Sequence, residues 1–337
     1  MLKVFAAFKK GRPIPELEKQ LDLTLNLPSY ELSFRRYTDA SRPPTSHVSK
    51  SEFRKMLVET FEKKEYSGTN PRLKEVQKLV LRTIEHLDTF ERALSDIRKN
   101  SKMIRSNALA LVSDWIPDEA SLDGTIFVLV DPGMSFPWAY DGKFIGLDLM
   151  QFTKTDQYGF DIVGLTQTMA HEVHHLALQK INRSRGPMDA DAKFASFFEG
   201  EGSAMKFCNN VETQLSDRAN PRTKTAFLES SHPIYTKSFR EVWKNYRGDL
   251  NAMIARARED RNMLRLGKQQ DLTYWLPDLS EGRMIGRQYY LGAEIMGVIY
   301  QAFGKAKVFE AYRKPEIIFP TYNDAVKKLK LPKEYLL

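Results

Sequence analysis

A single cysteine, Cys208, stands in 337 residues. One thiol can neither close an internal disulfide nor build a thiolate zinc cluster. Histidine is scarce too: there are six, so two of them at ligand spacing carry information. No stretch approaches the roughly 18 apolar residues that span a bilayer. The first apolar run, Val4 to Phe8, is shorter than the about 7–15 residues of a signal-peptide core. The chain as given is expected to be cytoplasmic, or exported with a signal already removed. A phosphate-binding glycine loop and a G-x-S-x-G nucleophile turn are both missing. Gly200-x-Gly202 lacks the third glycine of a dinucleotide loop, because position 205 is Met.

What is present suits a globular protein. The chain is 42% hydrophobic, with 20 Phe, 14 Tyr and 4 Trp, enough apolar surface for a real core. A net charge of +8 raises the question of nucleic acid. Yet 43 acidic residues are interleaved with the basic ones, and even the densest stretch, Ala255 to Lys268, contains Glu259 and Asp260. That pattern is a solvated helix face, and no nucleic-acid partner is expected.

The predicted architecture is α+β, mainly α. The first 50 residues carry Pro13, Pro15, Pro28, Pro43 and Pro44, which read as loop punctuation. From Ser51 to about Ser113 the spacing is helical. Val76, Leu79, Val80, Ile84, Leu87 and Phe90 recur on one face of a run from Pro71 to Ile97. Thr125 to Val130 is the clearest strand, closed by Asp131-Pro-Gly133. Lys143 to Leu149 is a second, after the turn Tyr140-Asp-Gly142. Beyond Asp161 the pattern is helical to the short tail. Residues 1–113 are expected to form a mainly helical region and 114–337 the catalytic region, either as two regions or as one continuous domain.

The chemistry is carried by His171-Glu172-Val173-His174-His175. In this H-E-x-x-H pattern, two histidines four apart share one helix face and can reach one tetrahedral zinc. Glu172 is placed to take a proton from zinc-bound water and to deliver it to a leaving amine. Ile162, Leu165, Met169, Val173 and Leu176 form an apolar stripe, with the two histidines expected on the opposite, open side. The competing reading is a helix whose histidines are merely satisfied or exposed. His174 is expected to serve no direct role, and His47, His86 and His232 are read as structural.

A third protein ligand is needed. Positions 178 and 181 are Leu and Ile, not the Gly and His that metzincins require. Glu199 and Glu201 are the carboxylates on the next helix. Glu201 shares a stripe with Phe194, Phe197, Ala204 and Cys208, where an unpaired carboxylate would be unfavourable unless it met a metal. It is the preferred ligand. Glu199 points about 200° around the helix, either as an acid orienting a ligand from behind or as a surface residue.

These segments resemble the gluzincins, whose third ligand sits in a Glu-Gly-x-Ala stretch such as Glu201-Gly-Ser-Ala204. More closely, they resemble bacterial zinc-dependent peptidases grouped as domains of unknown function. Tyr289 to Gly297, Gly304, and Lys314 to Asn323 are similar to that group's carboxy-terminal pattern, so the likeness runs from about Thr125 to Asn323. It implies a zincin-like fold with a central H-E-x-x-H helix and one Zn2+ on His171, His175 and Glu201. The substrate would be a peptide or protein. The resemblance also implies a tyrosine donating to the oxyanion, with Tyr289 and Tyr290 as candidates. Tyr289 shares a stripe with Ile285, Gly292, Met296, Ile299 and Phe303, so one of the pair must face the packed side. Lys143 to Leu149 is a candidate edge strand for an extended peptide. The alternative function is an inactive zincin-fold module that binds a peptide or protein.

Overall fold

Prolines of the first segment start helices instead of breaking the chain. α1 (Leu2–Lys9) is followed by α2 (Ile14–Leu25), with proline in its first turn, and α3 (Pro28–Tyr37), which opens on proline. The missing N–H of proline is harmless at a helix start and its fixed φ suits the first turn. The expectation of loops there is thus corrected. The computed structural model describes residues 1–39, 47–120, 122–132, 137–154, 159–216, 237–268, 271–277 and 285–337. Pro43, Pro44, Gly133 and His232 lie outside the described residues.

α4 (Lys50–Lys63) begins at a capping box, in which Ser49 and Glu52 satisfy each other's backbone N–H groups. α5 (Pro71–Glu85) is capped by Asn70, and α6 (Leu87–Val112) follows after His86. A three-stranded sheet comes next: β1 (Thr125–Leu129), β2 (Trp138–Tyr140) and β3 (Phe144–Asp148). β2 and β3 are joined by Asp141, Gly142 and Lys143; the first two have positive φ, and the Lys143 N–H donates to the Tyr140 carbonyl, closing a tight turn. β3 pairs with β1 in parallel and with β2 antiparallel. It is therefore the central strand, with both backbone edges bonded, and cannot accept a peptide as an added strand. After α7 (Leu149–Phe152), β4 (Thr153–Lys154) and β5 (Gly159–Phe160) form a short ladder.

The remainder is helical. It comprises α8 (Ile162–Ser184), α9 (Ala190–Ser203) running into a π-turn (Ala204–Cys208), α10 (Lys237–Gly248) and α11 (Leu250–Arg265). α12 (Arg287–Phe303), α13 (Lys305–Arg313) and α14 (Ile318–Lys328) complete it. The fold class is α+β, mainly α. Among the described residues, no helix is long and apolar enough to cross a membrane.

The chain forms two compact units: Met1–Ile104 with Gly124–Ile162, and Arg105–Asp123 with Val163–Leu337. The small sheet thus groups with the front helices. Buried polar ties account for this. Tyr30 donates to the Val130 carbonyl, Tyr37 and Trp138 both donate to Asp131, and Arg82 donates to the Met150 carbonyl. In the second unit Trp115 stacks on Phe207 at 4.4 Å between ring centres, a contact worth roughly 0.5–1.5 kcal/mol beyond its burial.

Within that second unit α9 and α12 meet backbone to backbone. A Cβ on Gly202 would lie 2.1 Å from the carbonyl carbon of Gly292, and a Cβ on Gly292 would lie 2.2 Å from the Phe198 carbonyl oxygen. Gly200, two residues earlier, faces open space. Gly202→Ala is expected to destabilise the fold by about 1–3 kcal/mol through overpacking. Gly200→Ala should stabilise it by about 0.5–1 kcal/mol, since alanine is the better helix former. Denaturant midpoints of the two variants check this. Shifts of the same sign would mean that the helices part freely at the crossing.

Candidate metal centre

α8 positions the two histidines, and its surroundings are not those expected. From Gly164 to His174 every residue is buried, so the helix is enclosed on all faces instead of showing an open histidine side. His171 is 6% exposed and Glu172 5%. Outside the apolar stripe, Thr166, Gln167, Thr168, His171, Glu172 and His174 are polar yet buried, so a polar face on this helix does not mark an open one.

α9 brings Glu201 to the pair. His171 Nε2 and His175 Nε2 are 3.0 Å apart, and each lies 3.1 Å from Glu201 Oε2. Among the described residues this is the one group of three His, Cys, Asp or Glu side chains whose ligand atoms converge in this way. Four donors about 2.0–2.1 Å from a tetrahedral zinc stand about 3.3 Å apart, so a few tenths of an ångström of relaxation would fit the ion. The burial expected of Glu201 belongs to Glu199 instead: Glu201 and Phe197 are half-buried, while Glu199 is the fully enclosed carboxylate. Glu199 meets Arg185 at 2.8 and 3.1 Å; it lies outside the three-residue cluster and away from the surface. Burial pushes its carboxyl up to about 7 in spite of that guanidinium.

Asn209 was not singled out from the sequence. Its Nδ2 donates to the Gln167 carbonyl at 3.3 Å, which leaves Oδ1 facing His171 Nδ1 at 2.8 Å. An acceptor there requires the proton on Nδ1 and leaves the Nε2 lone pair directed at Glu201 and His175. The π-turn supplies the geometry: its last bond runs from Asn209 N–H to the Ala204 carbonyl, five residues back. The only sequence signal was an amide just beyond the ligand helix.

The cluster favours positive charge. Burial lowers the proton affinity of His175, but the Glu201 charge and hydrogen bond, with the Glu172 charge, carry it up to about 9. Burial would raise the Glu201 carboxyl, yet the two imidazoles hold it well below the usual carboxylate range. A cation among these three atoms satisfies the same demand. His174 lies behind them, fully buried, with Nε2 3.2 Å from the Tyr312 hydroxyl. Burial and the neighbouring imidazoles push its pKa well below the ordinary histidine value.

The tyrosine pair divides. Tyr289 is half-buried, its ring centre 6.5 Å from that of His171 and nearly parallel to it. Tyr290 is fully buried, 4.7 Å from the Trp243 ring and 6.4 Å from that of Tyr246. Of the two oxyanion-donor candidates, Tyr290 is thus the core side chain and Tyr289 the one beside the histidines. The stripe could not decide this, because α12 is buried nearly all round.

Compared with known proteins, the chain matches one family over residues 21–331, described as "Putative zinc dependent peptidase (DUF5700)". No curated protein and no solved structure matches it.

Because Asn209 holds His171 in the metal-binding tautomer, Asn209→Ala is expected to weaken zinc affinity by about 10–100-fold. Asn209→Asp, which keeps the acceptor, should bind zinc nearly as well as the parent. Competition with a chelator at fixed pH reads both. Unchanged affinity in Asn209→Ala would show that the ring is held by packing alone.

Proposed function

The chain belongs to the DUF5700 family, and on that basis we propose that it is a zinc-dependent peptidase with Glu172 as general base and acid. The observation that carries the reading is the convergence of His171 Nε2, His175 Nε2 and Glu201 Oε2 within 3.1 Å of one another. Three protein donors with a fourth position left open are the pattern of a catalytic zinc, whereas structural sites close all four. When bound, the ion supplies a Lewis acid that polarises a carbonyl and lowers the pKa of water to about 7.

The chain's own residues do the rest. His171 and His175 offer neutral imidazole nitrogens, and Glu201 offers the compensating negative charge. Glu172 directly follows the first histidine on α8; its carboxylate accepts the proton of the attacking water and returns it to the departing amine. Tyr289, beside His171, donates to the oxyanion that forms on the scissile carbonyl. Burial of Glu172 and His171 limits competing water in the site. A module that only bound peptides would have no use for a carboxylate at position 172, and no contact among the described residues favours that alternative.

About one zinc per chain is expected, with loss of metal in His171→Ala and His175→Ala. Glu172→Gln should keep the metal while hydrolysis of a labelled peptide library falls about 10²–10⁴-fold. Metal retained in both histidine variants, or lost in Glu172→Gln, would overturn the assignment. The tyrosines give an independent check. Tyr289→Phe should lower kcat about 10²–10³-fold, as removal of one oxyanion donor does, while Tyr290→Phe leaves kcat unchanged. Equal effects would show that neither hydroxyl is the donor.

A further inference from the structure

Behind the histidines lies a buried ion pair that the reaction does not use. Arg185 stands immediately past the end of α8, ten residues after His175, and its side chain is 4% exposed. Its Nη2 donates to both oxygens of Glu199 and to the Tyr312 carbonyl, and its Nη1 donates to Ser196 Oγ at 3.2 Å. Glu199, at 2% exposure, sits two residues before Glu201 on α9. Each member of the pair is thus attached to an element that carries donors of the metal cluster.

We propose that Arg185 and Glu199 are positioning residues that set the rotation of α9 about its axis, so that Glu201 falls between His171 and His175. The inference rests on the zinc reading above. Successive residues of an α-helix differ by about 100°, so pinning Glu199 into the protein interior turns Glu201 about 200° away, onto the face that meets α8. Ser196 lies one turn before Glu199 and is held by the same guanidinium, which fixes α9 at two successive turns. The Tyr312 carbonyl adds a third anchor from α13, and the hydroxyl of the same tyrosine touches His174 on α8.

Energetics point the same way. A buried ion pair is often no more stabilising than well-packed apolar side chains of similar size. What it adds over such packing is direction, because one planar guanidinium donates through Nη2 to the Glu199 carboxylate and through Nη1 to Ser196 Oγ, and its rigid donor geometry satisfies both in few orientations. The pair therefore acts on geometry, and stability and metal affinity should separate when it is replaced.

The experiment compares wild type, the double variant Arg185→Met with Glu199→Leu, and Arg185→Lys. Thermal stability of each metal-free protein is measured beside its zinc affinity by chelator competition. The visible absorption of the Co2+-substituted proteins reports ligand geometry. The double variant should match or exceed the wild-type stability yet bind zinc about 10–100-fold more weakly, with an altered cobalt spectrum. Arg185→Lys, which keeps the charge but not the fork, should show an intermediate loss of affinity. Wild-type affinity and an unchanged spectrum in either folded variant would overturn the proposal and leave the pair as ordinary core. Should the wild type itself take up no zinc, the metal reading falls first and this inference with it.

Discussion

At the crossing of α9 and α12 there is no room for a single Cβ. Gly202 lies next to Glu201, and Gly292 lies one turn beyond Tyr289, so the crossing brings together the helix segments that carry these two residues. Backbone contact of this kind brings two helices closer than any pair of side chains would permit. The site could not keep its dimensions if the helices moved apart by the diameter of a methyl group. Packing that tight also explains why α12 is enclosed over most of its length, and why polar groups inside it need partners. Glu294, fully buried, meets the backbone N–H groups of Gln214 and Leu215.

The electrostatics follow from that closeness. Two imidazoles and a carboxylate are gathered where water is largely excluded, and low polarisability strengthens every charge interaction among them. Left alone, the group recruits a proton onto His175, and Glu201 stays ionised. Asn209 decides which nitrogen of His171 is left bare. Selection of a tautomer by an amide, with no added charge, leaves the balance of the cluster to the ion.

How much of this was legible in the sequence depended on whether the signal was local. The i, i+4 histidines with Glu172 between them announce themselves, because a helix imposes that spacing. The Asp141-Gly142 hairpin and the strands around it were legible for the same reason. Glu201 was identified, but the argument from burial applies to Glu199, whose partner Arg185 is 14 residues away and invisible to helical periodicity. Asn209 lies 38 residues from His171, and no periodicity links them. Stripes fail where helices are wrapped over most of their faces, as α8 and α12 are, since polar side chains such as Gln167, His171 and Glu294 are then buried along with the apolar ones. The front prolines failed differently: the residue was read as a breaker when its position was that of a helix start. Strand centrality could not be read at all, for it depends on β1 arriving beside β3 from 19 residues upstream.

The π-turn after α9 changes how Glu201 and Asn209 are counted along the chain. An α-helix returns to the same face after seven residues, two turns on, but here one turn contains an extra residue and Asn209 comes eight after Glu201. A protein with the same centre and an unbroken helix would have to place its acceptor at another offset from the glutamate. Register-based comparison across this stretch would then align the acceptor with the wrong partner. Deleting one residue between Ala204 and Cys208 would swing position 209 by about 100° while leaving all three donors intact. The tolerance of this segment to insertion and deletion is therefore far narrower than its lack of metal-binding side chains would suggest.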